Sequence, residues 1–372
     1  MVNPFLPQSL LCREGELAHV CDLLAADSDF VVTGVPGLGR RTLIRTAAKQ
    51  MGSRCLEIDF LRCRNASQFL RAMADGLTQA FGEPQELAKI QQWSLSQPLS
   101  LDQTLSPMAR LVWPTSAGRE WPLFEGLLGL PQVLAECFDC QVVIMFHNFP
   151  HIRAWDRQGK WETHLRQEIQ RQSRVSYALI ATVAEPWMYA SQLPVVALSP
   201  LADGELQPWI IRSMASAGLT FDSDGQALDL FLSYVQGHMK DAITLAHRIW
   251  LDHTAMVPWD RALTTLSNHP NPVIPAHQVH SSMLALVQDL AVTFEALLLL
   301  LPPTQARVLE SLALDPTDSP QANAYIKKHQ LSRGGGLQGA LNSLEQKGLI
   351  YGPHLSYRIA LPLLDFWLKQ RL

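Results

Sequence analysis

The sequence predicts an α/β protein: a mostly parallel sheet with helices on both faces, then a run of helices and a small carboxy-terminal unit. Three observations carry that expectation. Short β-rich runs alternate with helix-spaced segments through roughly residues 1–200, the pattern of a parallel sheet whose crossovers are helices. Helical spacing dominates after Leu198. A length of 372 residues exceeds what one compact core usually absorbs, which favours two or three domains.

Composition narrows the function classes. Thirty basic against 34 acidic side chains leave a formal charge of -4, so nucleic-acid contact would have to be local rather than driven by overall charge. The longest apolar run, Leu284 to Leu301, is interrupted by Gln288, Asp289 and Glu295, groups costly inside a bilayer, so no membrane span is expected. The start, MVNPFLPQSLL, has no basic stretch and no cleavage site, so no secretory leader is expected and the chain is expected in the cytoplasm. Six cysteines, all in the first half, read as reduced thiols. The CFDC pair, Cys137 and Cys140, lacks a second CxxC or HxxxH partner, so no metal site is expected.

In chain order, Phe30–Thr33 reads as a strand before a glycine-rich turn and a helix. Cys55–Phe60 reads as the next strand, followed by a helix capped by Asn65 or Ser67 with Phe69, Leu70, Met73, Leu77 and Phe81 on one side. The stretch 83–122, polar and proline-containing, reads as an insertion or loop. An apolar helix then leads to QVVIMFHNF, whose unbroken apolar run fits a strand buried on both faces. Another helix, SYALIAT and PVVAL complete the alternation, and NHPNPVIPAH reads as a linker. Domain limits are expected at 1–200, 201–267 (helical), 268–303 (linker and connecting helix) and 304–372.

The glycine-rich turn carries the chemistry. A phosphate-binding loop needs main-chain N–H groups aimed at an anion from the positive end of a helix, with glycine where a Cβ would intrude; Gly34, Gly37 and Gly39 meet that need. The candidate nucleotide-binding residues are Gly34, Val35, Pro36, Gly37, Leu38, Gly39, Arg40, Arg41 and Thr42. Against the pattern GxxxxGK[ST], Arg40 takes the lysine position and Arg41 the hydroxyl position, with Thr42 one place late. A guanidinium is not an ammonium, and Arg41 cannot ligate magnesium. Taken alone, the turn is equally compatible with an ordinary strand-to-helix connection.

The buried strand VVIMF ends in His147 and Asn148, where a P-loop ATPase carries the acids that hold magnesium and polarise water. Asp59 and Glu185 are the nearby acids, at neither expected position. No catalytic residue is therefore assigned; His147 and Asn148 mark the substituted acidic positions, and His147 reads as a structural histidine. No GxSxG elbow exists, and Trp155, Trp161, Trp187, Trp209, Trp250, Trp259 and Trp367 are spread along the chain as core or interface anchors rather than a stacking platform.

The carboxy-terminal unit has the element order of a winged helix: PTQARVLESLAL, ANAYIKKHQ and GGGLQGALNSLEQKGLI as helices, then LIYG and SYRIA as a strand pair. From Thr304 onward eight Lys or Arg face five acids, a modest excess for phosphate contact. The candidate DNA contacts are Lys327, Lys328, Arg333, Gln338, Asn342 and Lys347; docking of a protein is the alternative.

The ordered set of segments resembles the archaeal-type AAA-family ATPases of the signal-transduction (STAND) P-loop group. The resemblance rests on Arg13, Glu14, Glu16 and Leu17 in LLCREGELAHVCDLL, on GVPGLGRRTLI, and on LPQVLAECFDCQVVIMFHNF. It continues through HLRQEIQRQSRVSYALIATVAEPWM with Ala181 and Thr182, VVALSPLADGELQPWI, and SLEQKGLIYGPHLSYRIALPLLDFWLKQR. It implies a P-loop (AAA+-like) parallel-sheet domain, a helical lid and a carboxy-terminal winged-helix domain, with ATP or ADP as ligand. The departures at Arg40, Arg41, His147 and Asn148 argue against magnesium and turnover, and so for a pseudo-ATPase that engages a partner protein, or DNA through the winged helix, without a membrane and with an oligomer open. An active ATP-hydrolysing switch and a DNA-binding protein on a scaffold P-loop domain are the alternatives.

Overall fold

The computed structural model describes residues 5, 10–102, 109–114, 120–256, 272–331 and 334–372. Helix α1 (Glu14–Ala25) precedes β1 (Phe30–Thr33), whose four residues are all buried, and the glycine-rich turn leads into α2 (Arg40–Gln50). The chain continues through β2 (Arg54–Asp59), α3 (Ala66–Ala80), α4 (Pro84–Ser94), β3 (Ser100–Asp102), β4 (Arg110–Val112) and α5 (Glu120–Cys137). It then forms β5 (Val142–His147), α6 (Lys160–Glu168), β6 (Val175–Ala181), α7 (Pro186–Ala190) and β7 (Val195–Ala197).

The central sheet is parallel, in the order β2-β5-β6-β1-β7, with β1 between β6 and β7. Helices on both faces explain why Val142–Phe146 and all of β6 are buried, with no polar alternation. One face presents Leu56, Ile58, Ile144, Phe146 and Tyr177 to Phe69, Leu70, Met73 and Leu77 of α3 and to α5. Asn65 rather than Ser67 caps α3: its Oδ1 accepts from the Gln68 N–H at 2.9 Å.

One expectation needs correction. Part of the stretch 83–122 is ordered as α4 and the antiparallel β3–β4 pair; residues 103–108 and 115–119 lie outside the described residues. Its helix is signalled by capping, not periodicity: Pro84 holds the first position and the Glu86 carboxylate returns to the Glu83 N–H at 3.0 Å. Trp161 packs edge-on against both Trp155 and Trp121, ring centroids 5.7 and 5.5 Å apart, beside the core of the sheet unit, as expected of core anchors. Trp259 lies outside the described residues.

Beyond the sheet come α8 (Asp203–Ser216), β8 (Thr220–Phe221), α9 (Gln226–Val235), α10 (Met239–Met256), β9 (Val273–Ile274) and α11 (Ala276–Leu300). Then follow α12 (Pro303–Leu314), α13 (Asn323–Lys328), α14 (Gly335–Gln346) and α15 (Pro362–Arg371). Gly237 breaks α9 from α10 with φ +73°, and a Cβ there would lie 2.1 Å from the Leu201 carbonyl oxygen, so only glycine fits. The expected linker is partly structured, since Val273 and Ile274 pair in parallel with β8; its first residues, 268–271, lie outside the described residues. Of the strand pair expected after α14, the structure shows one isolated antiparallel bridge, Ile350–Ile359, while Tyr357 bridges to Thr317 instead.

The chain divides into two compact units: a sheet unit of residues 13–33 and 40–197, and a helical unit of 34–39 and 198–372 with the described residues of 1–12. One core unites the helical unit, from Leu206 and Phe231 to Leu309, Leu341 and Trp367. Helix α11 is, among the described residues, the one helix long and apolar enough to cross a membrane by length and composition, at mean hydropathy 1.9. Its Val279, Met283, Leu286 and Val287 are buried in the core of the helical unit, and its Asp289 pairs with Arg248.

Candidate functional site

The turn Gly34–Gly39 leaves β1 at Thr33 and enters α2 at Arg40. Gly34, Gly37 and Gly39 have φ of 138°, 99° and 95°, so the three glycines singled out in the sequence hold the left-handed backbone. Within the helical unit this turn packs on the start of α10. His238 Nε2 lies 2.8 Å from the Pro36 carbonyl oxygen, and the Lys240 N–H donates to the Gly37 carbonyl at 3.2 Å. A Cβ on Gly37 would lie 2.5 Å from the His238 ring, so this glycine is required by the imidazole whether or not an anion is bound.

His238 is 1% exposed. Its Nδ1 faces Asp241, 3.3 Å from that residue's N–H and 3.2 Å from its Oδ1, and Nε2 is the donor to Pro36, whose carbonyl can only accept. The Asp241 Oδ2 in turn accepts from the Leu363 N–H, at 3.3 Å, at the start of α15.

In the sheet unit, Arg40 opens α2 with Nη1 donating to the Ala181 carbonyl at 2.7 Å. Burial pulls its guanidinium down to about 10, and no carboxylate pairs with it among the described residues. Arg41 differs sharply. It pairs with Glu57 at 2.6 Å, as does Arg45, and His147 Nε2 approaches the same carboxylate at 3.4 Å. Burial alone would raise Glu57, but hydrogen bonds from His147, Arg45 and Arg41 outweigh it and hold the carboxyl at about 2. Thr42 is exposed, and its carbonyl accepts from the Thr46 hydroxyl at 2.8 Å.

At the end of β5, Asn148 Nδ2 donates to Asp59 Oδ1 at 2.9 Å, and Asp59 Oδ1 also receives the Leu61 N–H. The acids near this strand end therefore come from the neighbouring strand β2 and are already engaged. Glu185 is engaged too, by Arg153 at 2.6 Å and by the Trp187 Nε1–H at 2.7 Å. No cluster of three or more His, Cys, Asp or Glu that could hold a metal ion occurs among the described residues. A cleft of about 440 Å³ runs along β2 between α2 and α3, lined by Arg41, Arg45, Glu57, Asp59, Asp75 and His147.

Residues 292–370 match the family model described as "Probable winged helix domain". No curated protein sequence matches the chain. Among solved structures, the Walker-type ATPase of Pyrococcus abyssi is similar over 98% of this chain and 99% of its own, with TM-score 0.66 at 13% identity. The ADP form of the Aeropyrum pernix ORC2 protein is similar over 99% and 97%, TM-score 0.53, 12% identity. The Aeropyrum pernix ORC1 protein in complex with DNA is similar over 99% and 95%, TM-score 0.51, 13% identity. The fold is of the P-loop AAA+ type. At these identities the likeness is one of fold.

The winged helix gathers the residues expected to touch DNA into one domain but leaves few of them free. Lys328 pairs with Asp315 at 2.7 Å, and Lys347 Nζ donates to Gln305 Oε1 at 2.5 Å. Gln338 donates to Asn342 at 2.6 Å and accepts from Gln321. Lys327 is exposed and has no carboxylate partner among the described residues, whereas Arg333 lies outside them.

Three residues beside the P-loop escaped the sequence reading: His238, Lys240 and Asp241, 202 residues or more from Pro36. The only local signal was the helix-breaking Gly237 before HMKD. Lys240 is exposed, and its side chain starts against Gly37 without a carboxylate partner among the described residues.

Proposed function

We propose that this chain is a nucleotide-binding regulatory protein of the archaeal-type AAA-family, STAND-like group: a pseudo-ATPase that keeps the amide cradle of its P-loop without the side chains for turnover. The observation that carries this reading is Arg40. A half-buried guanidinium at the head of a helix, after a turn of three left-handed glycines, bonded to the Ala181 carbonyl and without a carboxylate partner among the described residues, is a charge that an anion would neutralise. Phosphates of ATP or ADP fit that requirement, with main-chain donors from Gly34 to Thr42.

Turnover is not part of this reading. Arg41 stands at the magnesium-ligand position and is tied to Glu57, while β5 ends in His147 and Asn148, whose partners are Glu57 and Asp59. The electrostatic stabilisation that phosphoryl transfer relies on is thereby reduced. The winged helix, with Lys328 and Lys347 answered within the domain, suits docking of a protein partner better than DNA.

Thermal shift and titration calorimetry with ATP and ADP, each with and without magnesium, test the reading, together with a phosphate-release assay. Stabilisation by nucleotide, indifferent to magnesium and without phosphate release, is expected. Absence of any binding sinks the ligand, and magnesium-dependent release sinks the pseudo-ATPase.

A further inference from the structure

We propose that His238 aims the P-loop amides and, with Asp241, links nucleotide binding at the turn to the seating of α15 in the winged helix. The proposal rests on the nucleotide-binding reading above and adds the part of the chain that responds to it.

The argument starts from the planar peptide. The Pro36 C=O and the Gly37 N–H belong to one rigid plane and point to opposite sides of it, as do the Gly37 C=O and the Leu38 N–H. His238 holds the first carbonyl at 2.8 Å and the Lys240 N–H holds the second at 3.2 Å. Two consecutive planes are thus fixed through their oxygens, and the directions of the Gly37 and Leu38 N–H groups follow. Converging amides of this kind form an anion nest only while both planes keep their orientation.

The same imidazole continues inward. Its Nδ1 accepts from the Asp241 N–H at 3.3 Å, and the Asp241 Oδ2 accepts from the Leu363 N–H at 3.3 Å. His238 and Asp241 are 1% and 6% exposed, so each bond acts in a low-dielectric interior where its loss is costly. All four residues belong to the helical unit. An anion that draws the Gly37 N–H toward itself must turn the Pro36 carbonyl with it. That rotation displaces the imidazole, and the displacement reaches the first amides of α15 through Asp241. The two sites then share one coupling free energy, felt in both directions.

The test uses the full chain with ADP as ligand, titration calorimetry for affinity and amide hydrogen exchange for the two ends. In wild type, ADP should alter exchange at residues 362–368 as well as at 37–39. His238→Ala should weaken ADP at least about 10-fold and abolish the response at 362–368. His238→Gln, whose amide nitrogen can still donate to Pro36, should restore most of the affinity. Asp241→Ala should leave ADP affinity within about threefold and still abolish the response at 362–368. The proposal is overturned if His238→Ala binds ADP as wild type does, or if either alanine variant keeps the response at 362–368. If wild type binds no ADP, the nucleotide reading falls and the linkage with it. The aiming role is then judged on ligand-free protein, where His238→Ala must speed exchange at 37–39 and His238→Gln must not.

Discussion

Helices α2 and α14 both begin after glycines, and the charges around them are arranged differently. Helix α2 follows the turn Gly34–Gly39 and opens with Arg40, half-buried and without a carboxylate partner among the described residues. Helix α14 follows Gly334, and in its domain Lys328 is answered by Asp315 and Lys347 by Gln305, whereas Lys327 has no carboxylate partner among the described residues. A glycine-led helix start supplies amides and a dipole in both cases. What separates them is a half-buried guanidinium without a carboxylate, costly to keep unless something neutralises it.

The largest effect expected from that contrast concerns the glycines themselves. Gly37→Ala meets φ +99° and a ring 2.5 Å away, whereas Gly335 has open space around the added Cβ. Urea denaturation should show Gly37→Ala less stable by roughly 3 kcal/mol. Gly335→Ala should be neutral or up to about 1 kcal/mol more stable, since alanine suits a helix. Equal effects would break the comparison. Next comes Arg40→Ala, expected to weaken ADP at least about 10-fold, or about 1.4 kcal/mol. Without ligand its melting temperature should hardly fall, because the substitution also removes a half-buried charge without a carboxylate partner. A large loss of stability with unchanged ADP affinity would make Arg40 a structural residue held by Ala181.

The sheet was legible because its signals are local. The apolar runs at Phe30–Thr33 and Val142–Phe146 admit few structures other than buried strands, and the glycines at 34, 37 and 39 lie where the backbone turns left-handed. Helix α4 was not legible, since it depends on the return of Glu86 to Glu83 rather than on an apolar stripe. The state of the candidate site was hidden for another reason. Nothing around Arg41 announces that Glu57, sixteen residues on, will claim it, and nothing around Gly37 announces His238. Composition shows which charges exist; pairing across the fold decides which remain available.

Glu57 offers a way to sharpen the contrast at α2 alone. Its carboxyl is held at about 2 instead of the ordinary 4.5, so the charged form is favoured in the folded state. The stabilisation is present above pH 4.5 and is lost as pH falls toward 2. Glu57→Gln should therefore flatten the acid limb of the stability profile, by about 1 kcal/mol once screening at the exposed Arg41 and Arg45 is allowed for. It should also free Arg41 and tighten ADP several-fold at neutral pH. An unchanged acid limb would mean that the Arg41–Glu57–Arg45 cluster contributes little.

The smallest expected effect lies in the winged helix, between the end of α12 and α13. If Lys328 is withheld from phosphate by its bond to Asp315, then Asp315→Asn releases it together with His329, whose Nε2 lies 3.1 Å from the same carboxylate. Binding of a short DNA duplex, followed against salt, should then strengthen a few-fold and steepen by about one unit of log–log slope. Lys328→Ala should leave the wild-type slope as it is, because a cation already paired releases few counterions. Should Lys328→Ala flatten that slope instead, the pair opens on contact with DNA, and the winged helix is a phosphate-binding surface after all.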